Sequence, residues 1–297
     1  GKSKYCHWRY LILWQASWYY LMNGYVPPEF SHNFIAGSID DTNFELYKTP
    51  REMRKFKKIL IRAALTLVII VPVSAFAHFL LFPQQTRSLL IDYSGFKKDG
   101  RLYFDSNTPA SSADYVRGVI ELASGRVASF WGEKTSDPKF IYCSSGADFK
   151  KYGSPFPVPA LTHIKFGATI VISSQGVDTD ILAHEISHAE FYERIGFYNW
   201  SFKIPRWFDE GLAMLNDYRS YYSEDTLKAR SDNFKNLPDV KQFKTGKQFN
   251  EEGSPEQIML NFMTAKYLVK RWYTKEKLQK LIENINAGMD FDKAFQQ

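Results

Sequence analysis

The pattern of apolar and polar positions divides the chain into an apolar segment, a strand-rich segment and a helix-rich segment. The apolar segment covers residues 63–82, AALTLVIIVPVSAFAHFLLF, where no side chain carries a formal charge. At about 1.5 Å per residue, a helix of this length spans roughly 30 Å, the thickness of a bilayer's hydrocarbon core. A buried core helix is the alternative, but core helices seldom run this long without a charged face. Pro72 also suits a membrane helix better than a soluble one, so the pattern predicts one transmembrane helix over residues 59–82.

Strand-like runs are frequent between residues 83 and 175. The sequences RLYFDS, KFIYCSS and GATIVISS predict strands because they are rich in β-branched and aromatic residues. The segment SSADYVRGVIELASGRVASFW has helical spacing, whereas GADFKKYGSPFPVPALTH, with three prolines and two glycines, predicts a loop. From residue 176 onward the pattern is mainly helical. We therefore expect an α+β fold, with a small mixed sheet in residues 83–175 and a helical part in residues 176–297.

The helix predicted over residues 180–196, DILAHEISHAEFYERIG, carries a group of chemically active side chains. His184 and His188 are four residues apart, which places them on one helix face with Cβ atoms roughly 6 Å apart. This spacing suits two ligands of one tetrahedral zinc ion, and Glu185 can then reach a water molecule beside the metal. The HExxH pattern has only three fixed positions, so it also occurs by chance in unrelated chains. The apolar residues of this helix are expected to pack against the C-terminal helical part: Ile181, Leu182, Ile186 and Ala189.

A third zinc ligand is predicted in the segment IPRWFDEGLA, residues 204–213. A catalytic zinc site needs three protein ligands and one open position. Pro205 is suited to the start of a helix, and Glu210 lies 22 positions after His188. This distance allows the first helix to end near Gly196, a loop to turn, and a second helix to return antiparallel, so that the two helices form a zinc-binding pair. An ordinary surface helix with an acidic first turn is the alternative explanation of these carboxylates.

The sequence HEISH followed by PRWFDEGLA resembles the gluzincins, the zinc metallopeptidases that include thermolysin and the aminopeptidase N family. The form Pro-x-Trp-x-x-Glu-Gly-x-Ala is similar to that of the small, often membrane-anchored peptidase MA-like proteins. The resemblance covers about residues 140–297, including the C-terminal helices. It implies that His184, His188 and Glu210 bind zinc and that Glu185 is the general base. It also implies that the strand GATIVISS is an edge strand that pairs with an extended peptide substrate.

The residue that would stabilise the transition state is not identified by the resemblance. Many relatives place a tyrosine in the C-terminal helices for this purpose, whereas Phe262 and Ile258 lie near that position here. Four tyrosines remain as candidates: Tyr218, Tyr221, Tyr222 and Tyr267. A carboxylate that orients one of the ligating histidines is also expected. Asp217 is a candidate because it shares a helix face with Glu210, although a solvated helix charge is the simpler explanation.

Charge distribution predicts the topology of the membrane helix. The net charge is +6, and residues 51–62, REMRKFKKILIR, contain six basic side chains and one acid. Such a basic block is typical of nucleic-acid-binding segments. The apolar span that follows favours a membrane protein that binds no nucleic acid. Only Arg87 and Lys97 are basic in the fifteen residues after the span. The positive-inside rule then places the N-terminal segment, residues 1–58, in the cytoplasm and residues from about 83 onward outside it. The two cysteines, Cys6 and Cys143, would lie on opposite sides and could not pair.

Three functions are compatible with these features. The first is a membrane-anchored, zinc-dependent metallopeptidase that hydrolyses peptide or protein substrates outside the cytoplasm, with a mild preference for endopeptidase action. The second is an inactive relative that acts as a membrane-tethered binding module, which the missing tyrosine would fit. The third is an intramembrane protease, but HEISHAEFYERIG is too polar to lie in lipid. The intact set of His184, Glu185, His188 and Glu210 favours the first, because a binding module has no need of the base.

Overall fold

The computed structural model describes residues 50–297 other than Lys165 and Lys244, with the helix backbone alone at residues 50–53, 55 and 56. The chain divides into two units, residues 1–82 and residues 83–297. The predictions for the N-terminal segment up to residue 49, including Cys6, lie outside the described residues. In the first unit, helix α1 covers Pro50–Leu81. Its part Lys57–Leu81 is, among the described residues, the one helix long and apolar enough to cross a membrane, and none of it is buried.

The second unit begins with the short helix α2 (Pro83–Leu89) and is built around one five-stranded mixed sheet. Its strands are β1 (Lys97–Asp99), β2 (Leu102–Phe104), β3 (Lys139–Cys143), β4 (Ala160–Ile164) and β5 (Ala168–Ser173). Their order across the sheet is β1-β2-β3-β5-β4. The pairs β2–β3 and β3–β5 are parallel, whereas the outer strands β1 and β4 pair antiparallel with β2 and β5. The second unit is thus α+β with a mixed sheet, as the sequence predicts.

The inner strands of this sheet are covered on both faces, which explains their continuous apolar runs. In β5, Ile170 and Ile172 face one hydrophobic cluster, which includes apolar residues of the long helix α3 (Ala110–Trp131). Val171, between them, faces a second cluster with Ile141 and Phe149. The strand GATIVISS is therefore an inner strand of the sheet. Its expected place at the edge is taken by β4.

The segment predicted as a loop, residues 146–163, contains a helix and the edge strand. Helix α4 covers Gly146–Tyr152, and the side chain of Ser145 caps it by accepting a hydrogen bond from the Asp148 N–H. The three prolines all lie between this helix and β4, at residues 155–159. They interrupt regular structure only there, so the loop prediction was too long at both ends.

The metal-candidate helix α5 covers Thr179–Phe202 and begins at a well-formed cap, where Asp178 accepts hydrogen bonds from the N–H groups of Asp180 and Ile181. Gly196, at φ 75°, breaks the helix at the predicted position, but the chain continues in helical form to Phe202. The expected packing of its apolar residues on the C-terminal helices was wrong. Ile181, Leu182 and Ile186 pack with the sheet and α3. Phe191 and Ile195, one to two turns later, make the contacts with the C-terminal helices.

The helical part follows α5 in the order α6 (Arg206–Ala213), α7 (Glu224–Arg230), α8 (Gly246–Asn250), α9 (Pro255–Trp272), α10 (Lys275–Asn286) and α11 (Phe291–Phe295). Trp207 and Phe208 bury the start of α6 in an aromatic cluster with residues of α9 and α11. Gly211 allows α6 to approach α9 closely. A Cβ atom there would lie 2.6 Å from the carbonyl oxygen of Ala265, a separation too short for unstrained packing. This contact fixes the position of α6, and with it the position of Glu210.

Candidate metal centre

Helices α5 and α6 bring three of the predicted metal ligands together. The Nε2 atoms of His184 and His188 lie 3.1 Å apart. Oε2 of Glu210 lies 3.3 Å from Nε2 of His184 and 3.5 Å from Nε2 of His188. All three residues are buried. Among the described residues they form the one group of histidine, cysteine or acidic side chains that could hold a metal ion.

The separations of these atoms fit a tetrahedral ion. Zinc lies about 2.0–2.2 Å from nitrogen and oxygen ligands, which separates any two ligands of a tetrahedron by about 3.3–3.6 Å. The three observed distances, 3.1, 3.3 and 3.5 Å, match that triangle closely. Oε2 of Glu210 is buried without a hydrogen-bond donor, which is costly for a carboxylate unless a cation binds it. Two imidazoles and one carboxylate also suit zinc or a similar transition metal better than calcium or magnesium.

Asp209 supplies the carboxylate that orients a ligating histidine. Its Oδ1 lies 3.0 Å from Nδ1 of His188, so the ring donates that N–H to Asp209 and directs Nε2 toward the other ligands. Burial by itself would lower the pKa of His188, but the charges of Asp209 and Glu210 raise it well above its usual value. The surroundings of His188 therefore favour positive charge at this point, which is what a bound cation would provide.

Arg206 binds the carboxylate oxygens of Asp209 and Glu210 that do not face the histidines. Its guanidinium lies 2.5 Å from Oε1 of Glu210 and 3.1 Å from Oδ2 of Asp209. Burial by itself would raise the pKa of Glu210, but the charges of Arg206 and His188 hold it well below its usual range. Glu210 is therefore ionised and ready to act as a metal ligand at neutral pH.

Glu185 lies next to the ligand set and is held by the edge strand. Oγ1 of Thr162, in β4, donates a hydrogen bond to Oε2 of Glu185 at 2.7 Å, and it lies 3.0 Å from the backbone oxygen of the same residue. Glu185 is buried with 8% of its surface exposed. The strand thus fixes one oxygen of the predicted base.

Asp217, the sequence's candidate for orienting a histidine, binds an arginine instead. Nε of Arg219 lies 2.9 Å and 3.0 Å from its two carboxylate oxygens. The chain leaves helical geometry after Asn216, at the end of the short 3-10 helix Met214–Asn216. Asp217 therefore does not share a continuous helix face with Glu210, and the role predicted for it belongs to Asp209.

The tyrosine candidates fall in different surroundings. Tyr267 stacks on Phe234, and Tyr218 lies over the guanidinium of Arg126. Burial raises the pKa of Tyr222 to about 12 against the opposing charge of Arg219, and Glu210 is among the charges that raise it further. The phenol of Tyr222 therefore stays protonated at neutral pH and can donate a hydrogen bond. Tyr221 lies beside it, with the two ring centroids 4.5 Å apart.

Two residues that suit the site were not assigned a role by the sequence. Arg206 stands inside the quoted motif, but its pairing with two carboxylates depends on how α6 packs. Thr162 lies in the segment predicted as a loop, so its position beside Glu185 was not foreseen. Asp209 stands next to Glu210 in the sequence, which indicates a position near the metal site. Spacing alone does not predict which histidine it contacts.

A surface cleft of about 400 Å³ lies elsewhere on the second unit. It is lined by Ser111, Ser112, Tyr115, Val116, Tyr142, Ser174 and Val177. No metal-site residue lines it, so it is separate from the group described above.

The HExxH spacing and the later Glu210 predict the donor atoms of this centre, and the fold brings those atoms together in a buried group. Neither a scan against protein-family models nor a search of curated proteins finds a match for this chain.

Proposed function

We propose that this protein is a membrane-anchored zinc metallopeptidase of the gluzincin type, which hydrolyses peptide bonds outside the cytoplasm. The observation that carries the proposal is the triangle formed by His184 Nε2, His188 Nε2 and Glu210 Oε2, with sides of 3.1–3.5 Å. Three protein ligands leave one position of a tetrahedral ion open, as catalytic zinc sites require. Glu185 follows the first ligand directly in the chain, where a general base is needed.

The roles of the chain's residues follow from this arrangement. Zinc held here would polarise a peptide carbonyl and activate a water molecule for attack. Glu185 takes the proton of that water on its carboxylate and passes it to the amide nitrogen as the C–N bond breaks. Because Thr162 holds Oε2, we assign the proton transfer to Oε1. Asp209 keeps the Nδ1 proton on His188, so that Nε2 offers its lone pair to the ion.

The anchor belongs to the same proposal. Helix Lys57–Leu81 is 25 residues long, with a composition that fits a bilayer. It precedes the second unit directly in the chain, so the peptidase unit would be held at a membrane surface. Peptides and unstructured protein segments near that surface are the expected substrates.

Metal analysis of the full chain, purified in detergent, tests the metal site. We expect about one zinc ion per chain, because the described residues form one three-ligand group. His188→Ala and Glu210→Ala should each reduce zinc binding severely, since each leaves only two ligands. Full zinc retention by Glu210→Ala would refute the third ligand and the gluzincin assignment with it. Lys293→Ala, in the C-terminal helix α11, is a control that should keep its zinc.

A further inference from the structure

Arg206 occupies the first position of α6 and contacts both acidic residues of the metal centre. Nη2 lies 2.5 Å from Oε1 of Glu210, and Nη1 lies 3.1 Å from Oδ2 of Asp209. The remaining oxygen of each carboxylate faces a histidine. Oδ1 of Asp209 lies 3.0 Å from Nδ1 of His188, and Oε2 of Glu210 lies 3.3 Å from Nε2 of His184. The guanidinium thus closes a ring of contacts that runs through both carboxylates and both histidines.

We propose that Arg206 is the positioning residue of this centre, which makes Glu210 offer a single oxygen to the metal and Asp209 a single oxygen to His188. The inference rests on the metal site of the proposed function. It adds a residue that acts on the ion only through the two carboxylates that it holds.

The chemistry of the carboxylate explains why such a residue is needed. A glutamate with two free oxygens can bind a cation through one or both of them. Binding through both would occupy the position that a catalytic zinc must keep open. Arg206 prevents binding through both oxygens, because Oε1 of Glu210 is already bound to the guanidinium. A planar guanidinium can hold two neighbouring carboxylates at once, whereas a lysine ammonium is a single point charge.

The positive charge of Arg206 and its positioning of the two carboxylates have opposite effects on zinc affinity. Burial would lower its pKa, but Glu210, Asp209 and Glu185 raise it, so the guanidinium stays charged. A positive charge beside a metal site repels the ion. If charge were its main effect, removing Arg206 would therefore tighten zinc binding. If positioning dominates, its removal weakens zinc binding and changes the coordination of the ion.

Zinc affinity and cobalt spectra of the full chain in detergent separate these effects. We expect Arg206→Gln and Arg206→Lys both to bind zinc roughly 10–100-fold more weakly, the usual effect of losing a partner that orients metal ligands. With cobalt(II) in place of zinc, both variants should also show weaker visible d–d absorption, because the freed oxygen of Glu210 raises the coordination number. Lysine keeps the charge, so a charge effect alone would leave Arg206→Lys like the wild type.

Arg194→Gln is the matched control. Arg194 also binds a buried glutamate four positions away on the same helix, with Nη2 2.8 Å from Oε1 of Glu190, but that glutamate is not a metal ligand. The control should leave zinc affinity and the cobalt spectrum unchanged, even where it lowers the melting temperature.

Three results would overturn the inference. The first is zinc binding by Arg206→Gln as tight as that of the wild type, with an unchanged cobalt spectrum. The second is wild-type behaviour of Arg206→Lys. The third applies if the variants do not fold: X-ray absorption of the zinc-loaded wild type should then show one glutamate oxygen on the ion, and a carboxylate bound through both oxygens refutes the idea. A wild type that binds no zinc refutes the proposed function itself, which distinguishes the two failures.

Discussion

The imidazole of His188 is fixed at both of its nitrogen atoms. Nδ1 lies 3.0 Å from Asp209, and Nε2 lies 3.1 Å from its counterpart in His184. A histidine whose Nδ1 proton is held by a carboxylate keeps one tautomer and presents the Nε2 lone pair in one direction. The carboxylate comes from α6 and the histidine from α5, so this orientation exists only when the two helices are packed together. His188 and Asp209 thus depend on each other across the two helices.

Glu185 differs from its neighbours because its proposed role needs no contact with the ion. Glu185→Gln keeps the shape of the side chain and can still contact Thr162, but it removes the base. We expect the variant to fold and to retain zinc, while peptide hydrolysis falls by at least the general-base contribution, on the order of 10²–10⁴-fold. Cleavage of an unstructured polypeptide by zinc-loaded full chain is the measurement.

Glu193→Gln provides the control for this comparison, because Glu193 is an exposed glutamate on the same helix. It should leave the rate of hydrolysis unchanged. Equal rates for the wild type and Glu185→Gln would mean that Glu185 is not the base. A zinc-loaded wild type that cleaves no member of a broad peptide library would favour the membrane-tethered binding module.

At the scale of elements, α5 connects two of the three hydrophobic clusters described in the second unit. Its first half packs Leu182 and Ile186 against the sheet and α3. Its second half packs Phe191 and Ile195 against the C-terminal helices. Along the helix, His184 lies within the first of these regions, and His188 lies between the two. Rigid packing on both sides explains how this helix can hold buried polar groups in a fixed arrangement.

Elements with a strong local pattern were predictable from the sequence. The four-residue spacing of the histidines in HEISH and the glycine at position 196 predicted the metal-candidate helix, and apolar runs predicted β3 and β5. Sheet order was not predictable, because long-range pairing decides that β4 and not β5 forms the edge. The partners of Glu185 and Glu210 were missed for the same reason. Thr162 and Arg206 reach them only through the packing of β4 and α6, which no local pattern encodes.

Glu190 ties the loop before β3 to α5, and this contact predicts an effect of pH on stability. The buried carboxylate accepts hydrogen bonds from the N–H of Ser136 at 2.8 Å and from the N–H and hydroxyl of Thr135 at 2.9 and 2.7 Å. Burial by itself would raise the pKa of Glu190, but these hydrogen bonds hold it below its ordinary value of 4.5. A carboxyl whose pKa is lower in the folded state stabilises the protein above its unfolded pKa. This stabilisation is lost as the pH falls through the folded value.

We therefore expect Glu190→Gln to lower the free energy of unfolding at pH 7 by about 1.5–3 kcal/mol, the usual worth of hydrogen bonds to a charged group. The difference from the wild type should shrink as the pH falls below about 4.5, the ordinary range of a glutamate pKa. Denaturant unfolding of the full chain in detergent measures both, with a chelator present so that metal loss does not contribute. A difference that is independent of pH would show that Glu190 is not ionised in the folded protein. Glu193→Gln should show no difference at either pH.

At the scale of the whole molecule, the described residues form one apolar helix followed along the chain by a folded unit. The boundary between the two units falls between Phe82 and Pro83. Cys143 is buried and free, and burial raises the pKa of its thiol. It is therefore poorly suited to be a nucleophile or a redox site. Nothing described in the second unit depends on a disulfide, so its fold is compatible with either side of a membrane, and charge must decide the orientation.

The distribution of basic residues predicts that orientation. Seven precede the apolar span and only two follow it within fifteen residues. The seven are Lys48, Arg51, Arg54, Lys55, Lys57, Lys58 and Arg62. Positive charges near a membrane helix are retained in the cytoplasm, so the second unit should lie outside it. Alkaline phosphatase fused after Gln297 should be active in a bacterial host, and green fluorescent protein at the same position should stay dark.

A charge-shifted variant makes this topology test stricter. Replacing Lys57, Lys58 and Arg62 by glutamine and placing lysines at positions 84 and 85 removes the local bias without changing residues 63–82, because four basic residues then lie on each side. If charge sets the orientation, a measurable fraction of this variant should invert, and phosphatase activity should fall while fluorescence appears. The opposite result with the unaltered chain, a fluorescent green fluorescent protein fusion and an inactive but intact phosphatase fusion, would place the second unit in the cytoplasm. The proposed metal site would be unaffected by that result. Substrates outside the cytoplasm would be excluded, and the proposed peptidase would have to act on peptides at the cytoplasmic surface of the membrane.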